Sequence, residues 1–287
     1  MSDNKNQSEG PGTTGHEWDG IEELNNPLPR WWLWCFYGTI VWGLIYIVLY
    51  PAIPLVNGAT PGVLGYSTRA DVADDIASVR EANASLDEAL IASDLTTLAS
   101  TNDEVHRYAV SGGGAVFRTF CAQCHGAGAA GAVGFPNLLD DDWLWGGDMA
   151  AIEQTIRYGV RAEEADDTRY SEMPAFGEIL EKDEIQATAE YVLSLSGLNT
   201  DPAMATAGQE LFAENCAACH GDEGKGDIDL GAPNLTDAIW LFGSSRDALI
   251  TSITNARYGI MPAWEPRLTE AQIKQVTAYV HQLGGGL

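Results

Sequence analysis

The residues Cys121-Ala122-Gln123-Cys124-His125 are echoed later in the chain by Cys216-Ala217-Ala218-Cys219-His220. Two thiols at this spacing can each bond one vinyl group of a haem, and the histidine directly after them falls beneath the iron as its axial ligand. Half of a zinc site or a redox dithiol would also use a CxxC pair, but neither needs that histidine. Two copies in one repeated frame therefore read as two covalent haem c sites, at Cys121, Cys124 and His125 and at Cys216, Cys219 and His220.

The other face of each iron needs a ligand. After each motif a methionine precedes a proline, in Glu172-Met173-Pro174-Ala175-Phe176 and Ile260-Met261-Pro262-Ala263-Trp264. Proline keeps the preceding residue out of the helical region, so each methionine lies on an extended loop able to reach a haem face. A thioether is a soft ligand that raises the potential of a histidine/methionine haem. Chain order assigns Met173 to the first iron and Met261 to the second. Two irons with both axial positions filled point to electron transfer, with no catalytic residues.

The elements that must position these ligands repeat too. Phe117 to His125 matches Phe212 to His220, Pro136-Asn137-Leu138 matches Pro233-Asn234-Leu235, Trp143 matches Trp240, and Arg157-Tyr158-Gly159 matches Arg257-Tyr258-Gly259. Apolar residues at helical spacing close each copy, Ile185 to Leu195 and Ile273 to Leu283, and Thr269 with Gln272 forms a capping box before the last. No alternating strand pattern appears. The fold class is all-α: one N-terminal transmembrane helix followed by two tandem class I cytochrome c domains, residues 106–199 and 200–287, each closed by its own last helix. Trp143, Trp145 and Trp240 are candidate pocket walls, and Arg157 and Arg257 candidate partners of haem propionates. Met149 and Met204 have no counterpart in the other copy and read as packing residues. The first copy carries an insertion, Arg161 to Glu172, that is either a docking surface or a solvated loop.

Between Arg30 and Arg69 there is no charged side chain, and residues 31–53 are almost wholly apolar, enough to cross a bilayer as a helix. Trp31, Trp32 and Trp34 at one end and Tyr46 and Tyr50 near the other suit the two interfaces. A cleaved signal would start with a short basic stretch, whereas a polar tail, residues 1–30, comes first. Cys35 reads as a small packing residue of this anchor. Residues 54–105 form a linker with an amphipathic helix, its stripe at Val72, Ile76, Val79, Leu86 and Leu90. With 41 acidic against 15 basic side chains the net charge is −26. That sign repels nucleic acid and attracts cationic proteins, though it serves solubility as readily.

The tail with Glu17-Trp18-Asp19-Gly20-Ile21, the Asn26-Pro27-Leu28-Pro29 stretch leading into Trp31-Trp32, the single anchor and the two haem domains with their Met-Pro loops together resemble the CcoP/FixP family, the dihaem cytochrome c subunits of cbb3-type cytochrome c oxidases. The resemblance implies ligation by His125, Met173, His220 and Met261. It also implies a donor, a soluble or membrane cytochrome c, and partners, a monohaem c subunit and a catalytic subunit that reduces oxygen and pumps protons. The expected setting is the bacterial inner membrane, with a cytoplasmic N-terminus, lipid around the anchor and periplasmic haem domains. The alternatives are a dihaem cytochrome serving another reductase or dehydrogenase and, with one displaceable ligand, a dihaem peroxidase.

Overall fold

The structure, a computed structural model, describes residues 12–284. Residues 1–11 of the expected tail and the last three of the chain lie outside them. The chain divides into two compact units, residues 1–82 and 83–287.

In the first unit, strands β1 (Thr13–Trp18) and β2 (Ile21–Leu24) pair antiparallel around Asp19-Gly20. Both turn residues have positive φ, 49° and 83°, which is the type I′ geometry that Asp-Gly favours. Over these residues the expected polar tail thus forms a hairpin. Helix α1 (Arg30–Leu49) follows Pro29 and buries none of its residues. At 1.5 Å per residue it is about 30 Å long, the thickness of a hydrocarbon core. Cys35 is exposed on it, so the expected packing role has no support within the chain. Its last carbonyls do not wait for water: Val63 N–H donates to Val48 O at 2.9 Å and Leu64 N–H to Leu49 O at 3.1 Å. The returning chain passes through a two-residue pairing of β3 (Pro54–Leu55) with β4 (Gly58–Ala59). It approaches α1 at Gly62, where a Cβ would stand 2.4 Å from Leu49 O.

Helix α2 (Thr68–Ala92) leads out of the first unit. Only the end of its stripe is used as expected: Val72, Ile76 and Val79 are exposed, while Leu90 is buried with Leu95 and Leu98 of α3 (Leu95–Thr101). The same cluster takes in Met149, as expected of a packing residue. Lys274 Nζ donates to Ile91 O at 2.8 Å and Ser93 O at 2.7 Å, closing the C-terminus of α2.

The second unit is helical. Helix α4 (Asp103–Val116) passes through a π-helical turn, Phe117–Cys121, into the short α5 (Ala122–His125); α6 (Met149–Tyr158) follows. After a 3-10 turn (Phe176–Glu178) come α7 (Lys182–Leu195), α8 (Pro202–Asn215), the short α9 (Ala217–His220), α10 (Arg246–Asn255) and α11 (Glu270–His281). The expected Thr269/Gln272 capping box opens α11.

The closing helices do not pack as expected. Helix α11 crosses α4 and α6, while α7 crosses α8 and α10. One core joins Phe117, Ile152, Trp264, Ile273 and Val276; the other joins Phe176, Ile185, Val192, Phe212 and Leu249. The reason is the connection between α7 and α8, residues 196–201: a helix–helix link of a few residues folds its neighbours into an antiparallel pair. Each closing helix therefore lies against the other motif's helix. The second core is built from one continuous stretch, about 173–255, with its closing helix first, and this stretch is inserted within the first core. The expected boundary at 199/200 falls inside that stretch.

Both crossings are made the same way. A Cβ on Gly113 of α4 would lie 2.0 Å from Gln275 O of α11, and one on Gly208 of α8 would lie 2.0 Å from Ala187 O of α7. One turn on, Tyr279 meets Phe117 at 5.5 Å between ring centres, as Tyr191 meets Phe212 at 5.2 Å. Glycine, phenylalanine and cysteine recur at intervals of four in both motif helices, so one helical face carries the crossing point, the core ring and the first thiol.

Candidate haem sites

Each motif ends at a glycine with positive φ, Gly126 at 79° and Gly221 at 76°, which stops the short helix and turns the chain back. The returning loop then supports the histidine. His125 Nδ1 lies 3.0 Å from Pro136 O and His220 Nδ1 lies 3.1 Å from Pro233 O. A carbonyl can only accept, so Nδ1 carries the proton and Nε2 keeps its lone pair for a metal. Burial lowers both imidazole pKa values, which keeps the rings neutral. The repeated Pro-Asn-Leu thus has three jobs: proline supplies the carbonyl, Asn137 and Asn234 accept N–H bonds from Leu139 and Thr236, and Leu138 and Leu235 enter the two cores. Burial, with the neighbouring cysteine, pushes the Cys121 and Cys216 thiols up to about 11.

The methionines change places relative to chain order. Met261 packs on the core that holds Phe120, Cys121 and Ala122; Met173 packs on the core that holds Cys216 and Ala217. Each Met-Pro loop precedes its closing helix, so exchange of the helices carries the methionines with them. Met261 is also fixed through its backbone: Val160 N–H donates to Met261 O at 2.9 Å and Met261 N–H to Val160 O at 3.0 Å. The Glu164 carboxylate accepts from Ala263 N–H at 3.2 Å. The insertion at 161–172 therefore straps the Met261 loop, while its Glu163, Asp166, Asp167 and Tyr170 stay exposed.

The arginines separate as well. Arg157 reaches three carboxylates, with Glu270 and Glu153 each at 2.8 Å and Glu265 at 3.4 Å. Its charge is thereby matched within the protein, and it braces α6 to α11. Arg257 stays at a pocket, with Tyr258. Of the expected walls, Trp143 packs on the first core and Trp240 on the second, whereas Trp145 lies against Gly231, where a Cβ would come within 2.2 Å of its ring.

The residues themselves show whether they fit a haem. A cavity of about 410 Å³ is lined by Cys216, Cys219, His220 and Met173, with Phe212 and Leu249 among its apolar walls. That volume lies within the roughly 300–1,000 Å³ of ligand pockets. Two thiols, a neutral imidazole with a free Nε2 and a thioether sharing one largely apolar cavity are the donor set of haem c, and the fit is good. The loop around Ala132 to Asn137, which supports His125, also lines this cavity, so the two sites adjoin.

A family model described as cytochrome c oxidase, cbb3-type, subunit III matches residues 109–192 and again 203–280, and the N-terminal domain of cytochrome oxidase-cbb3, FixP, matches 10–57. The chain belongs to this cbb3 oxidase subunit family. Among its relatives, the cbb3-type cytochrome c oxidase subunit CcoP of Cereibacter sphaeroides is 56% identical over 96% of both chains. CcoP of Rhodobacter capsulatus is 53% identical over 96% of both. FixP of Sinorhizobium medicae is 50% identical over 96% of this chain and 94% of its own. The cytochrome c domains of the family carry haem c and transfer electrons, and its N-terminal domain holds the one helix among the described residues long and apolar enough to cross a membrane. The family matches follow the sequence repeats, whereas the two cores are offset from them by one closing helix.

The brace at Arg157 has a measurable consequence. Its carboxylate partner Glu270 is held below the ordinary value of 4.5, chiefly by the Arg157 hydrogen bonds. A depressed carboxylate contributes stability above its unfolded pKa, lost as pH falls through the folded one. Arg157→Gln is expected to cost about 1–2 kcal/mol at pH 7, discounted for the partial exposure of Glu270. Thermal unfolding should show that difference shrinking as pH falls below 4.5.

Proposed function

We propose that the chain is the electron-entry subunit of a cbb3-type oxidase, holding two covalent haems c. Cys121 and Cys124 would attach the first, with His125 and Met261 as axial ligands; Cys216 and Cys219 would attach the second, with His220 and Met173. Haem c supplies a one-electron ferric–ferrous couple. The protein's part is to keep Nε2 of each histidine unprotonated, hold a thioether opposite it, and wall both from water. The observation that carries this reading is the largely apolar pocket in which histidine, methionine and both thiols converge, the donor set of a haem held on both faces, which suits a site that stores and passes an electron rather than one that binds substrate.

Electrons would come from a cytochrome c donor and leave through a monohaem c subunit to the catalytic subunit. Attachment of c-type haem on the periplasmic side of a bacterial inner membrane places residues beyond α1 there and the β1–β2 hairpin in the cytoplasm. The test is a pull-down from gently solubilised membranes, assayed for haem b, copper and cyanide-sensitive oxygen uptake with a reduced cytochrome c. Co-purification with uptake supports the reading; a chain that emerges alone, with haem c only, defeats it. All but six of the 41 acidic side chains follow residue 50, on the side the donor would meet. Turnover with a cationic donor should therefore fall as ionic strength rises from about 0.01 to 1 M, where the Debye length shrinks from about 30 to 3 Å. A flat response would leave the acidity as solvation alone.

A further inference from the structure

In sequence, Arg157 is the counterpart of Arg257; in space, the counterpart is Arg169. Arg257 Nε donates to Ser252 Oγ at 3.0 Å and its Nη2 to Ala248 O at 2.7 Å, both on α10. Arg169 Nε donates to Thr155 Oγ1 at 3.0 Å and its Nη2 to Ala151 O at 3.3 Å, both on α6. Ala248 and Ser252 are one turn apart, as are Ala151 and Thr155, at matching positions of helices that follow the two motifs. Each guanidinium also lies over the ring two residues beyond the repeated tryptophan: Arg257 over Phe242 at 4.8 Å, Arg169 over Trp145 at 5.5 Å. Two arginines from unrelated places in the chain thus occupy one geometry twice, and Arg169 is delivered to it by the insertion, whose backbone pairs Arg161 with Arg169.

What these arginines lack points to a ligand. In a chain with 41 acidic side chains, neither is within an ion-pair distance of a carboxylate among the described residues, while Arg157 has three. Both are partly buried, and Nη1 of each has no hydrogen-bond partner among those residues. Asp148 and Asp229 act on Arg169 only from beyond ion-pair distance. A half-buried guanidinium with no carboxylate in contact is costly, and its planar fork suits one. Arg257 also lines both the largely apolar cavity at Cys216 and a more open, more polar cleft of about 610 Å³, at the boundary where a porphyrin's two charged carboxylates would leave its apolar body.

We infer that Arg169 and Arg257 are the propionate-holding residues of the first and second haem respectively, and that the insertion at 161–172 exists in part to supply the first. Arg157, the residue that alignment selects, is a structural brace. This rests on haem c attachment at both motifs.

The test is a spectroelectrochemical titration of the purified holoprotein. A nearby positive charge disfavours the ferric state, so its loss lowers the potential. Arg169→Gln should move the wave that Met261→Ala also moves, and Arg257→Gln the wave that Met173→Ala moves. In each case the ferric/ferrous ratio at fixed potential should change about tenfold, or 59 mV for one electron. Arg157→Gln should move neither. Unmoved waves in Arg169→Gln, or a displaced first wave in Arg157→Gln, overturn the assignment. Redox-difference infrared spectra of the unmutated protein carrying haem labelled at its carboxylates need no variant: arginine-paired carboxylate bands are expected at both haems, and solvated ones at the first overturn the role of Arg169. Haem content of the same sample separates the failures. Two haems per chain with unmoved potentials overturns the arginines; fewer than two overturns the attachment reading and this inference with it.

Discussion

Met261→Ala lowers the potential of the haem at Cys121 and Cys124, not of the nearer haem in sequence at Cys216 and Cys219. The expected fall is on the order of 0.1–0.2 V, a fraction of the roughly 0.8 V that axial ligands control. The exchange of closing helices makes the pairing testable without assigning waves in advance. In His125→Ala/Met261→Ala both changes strike one iron, so the other keeps its iron–thioether absorption band and half the intensity survives. In His220→Ala/Met261→Ala each iron loses one ligand, and the band disappears. Pairing by chain order gives the opposite pattern for the two double variants, so one pair of spectra decides between them.

Gly208→Val should be the most damaging single change away from the haem ligands. A Cβ at Gly208 would stand 2.0 Å from Ala187 O and 2.9 Å from Thr188 N, both backbone atoms, so no side-chain adjustment relieves it and α7 must part from α8. Overpacking costs of this kind run to about 3 kcal/mol or more. At about 2–4 °C per kcal/mol for a unit of this size, the melting temperature should drop by about 6–12 °C. Gly128→Ala, where nothing lies within 4 Å of the added carbon, is the matched control and should melt with the unmutated protein. Equal melting of Gly208→Val and Gly128→Ala would mean that α7 and α8 do not cross there.

The chemistry of this chain was legible in its sequence because it depends on contiguous residues. CxxCH, Met-Pro and an uncharged apolar run each state their physics within a few positions. Pairing was not legible in that way. The two copies are alike, so either methionine satisfies the pattern of either motif, and only the brevity of the link between Leu195 and Pro202 distinguishes the two arrangements. Arg157 shows the same limit, since its fate is decided by Glu265 and Glu270, far along the chain. The hairpin at 13–24 lacks the alternation that marks a strand, but Asp19-Gly20 was a turn signal in plain view. Pro136 and Pro233 matched as letters, while their use, a carbonyl under each histidine, required the fold.

The nesting of one core inside the other also sets an order of completion as the chain is made from its N-terminus. The core around Cys216 draws on about 173–255 alone and is whole once Asn255 is out. The core around Cys121 has its motif made much earlier, yet waits for Met261, Trp264 and Val276. The contact of Gly113 with Gln275 closes a far longer loop than that of Gly208 with Ala187, although each doubling of a loop adds only about 0.6 kcal/mol. The motif that is made first is therefore the last to be enclosed, and its two thiols stay open until the final helix arrives.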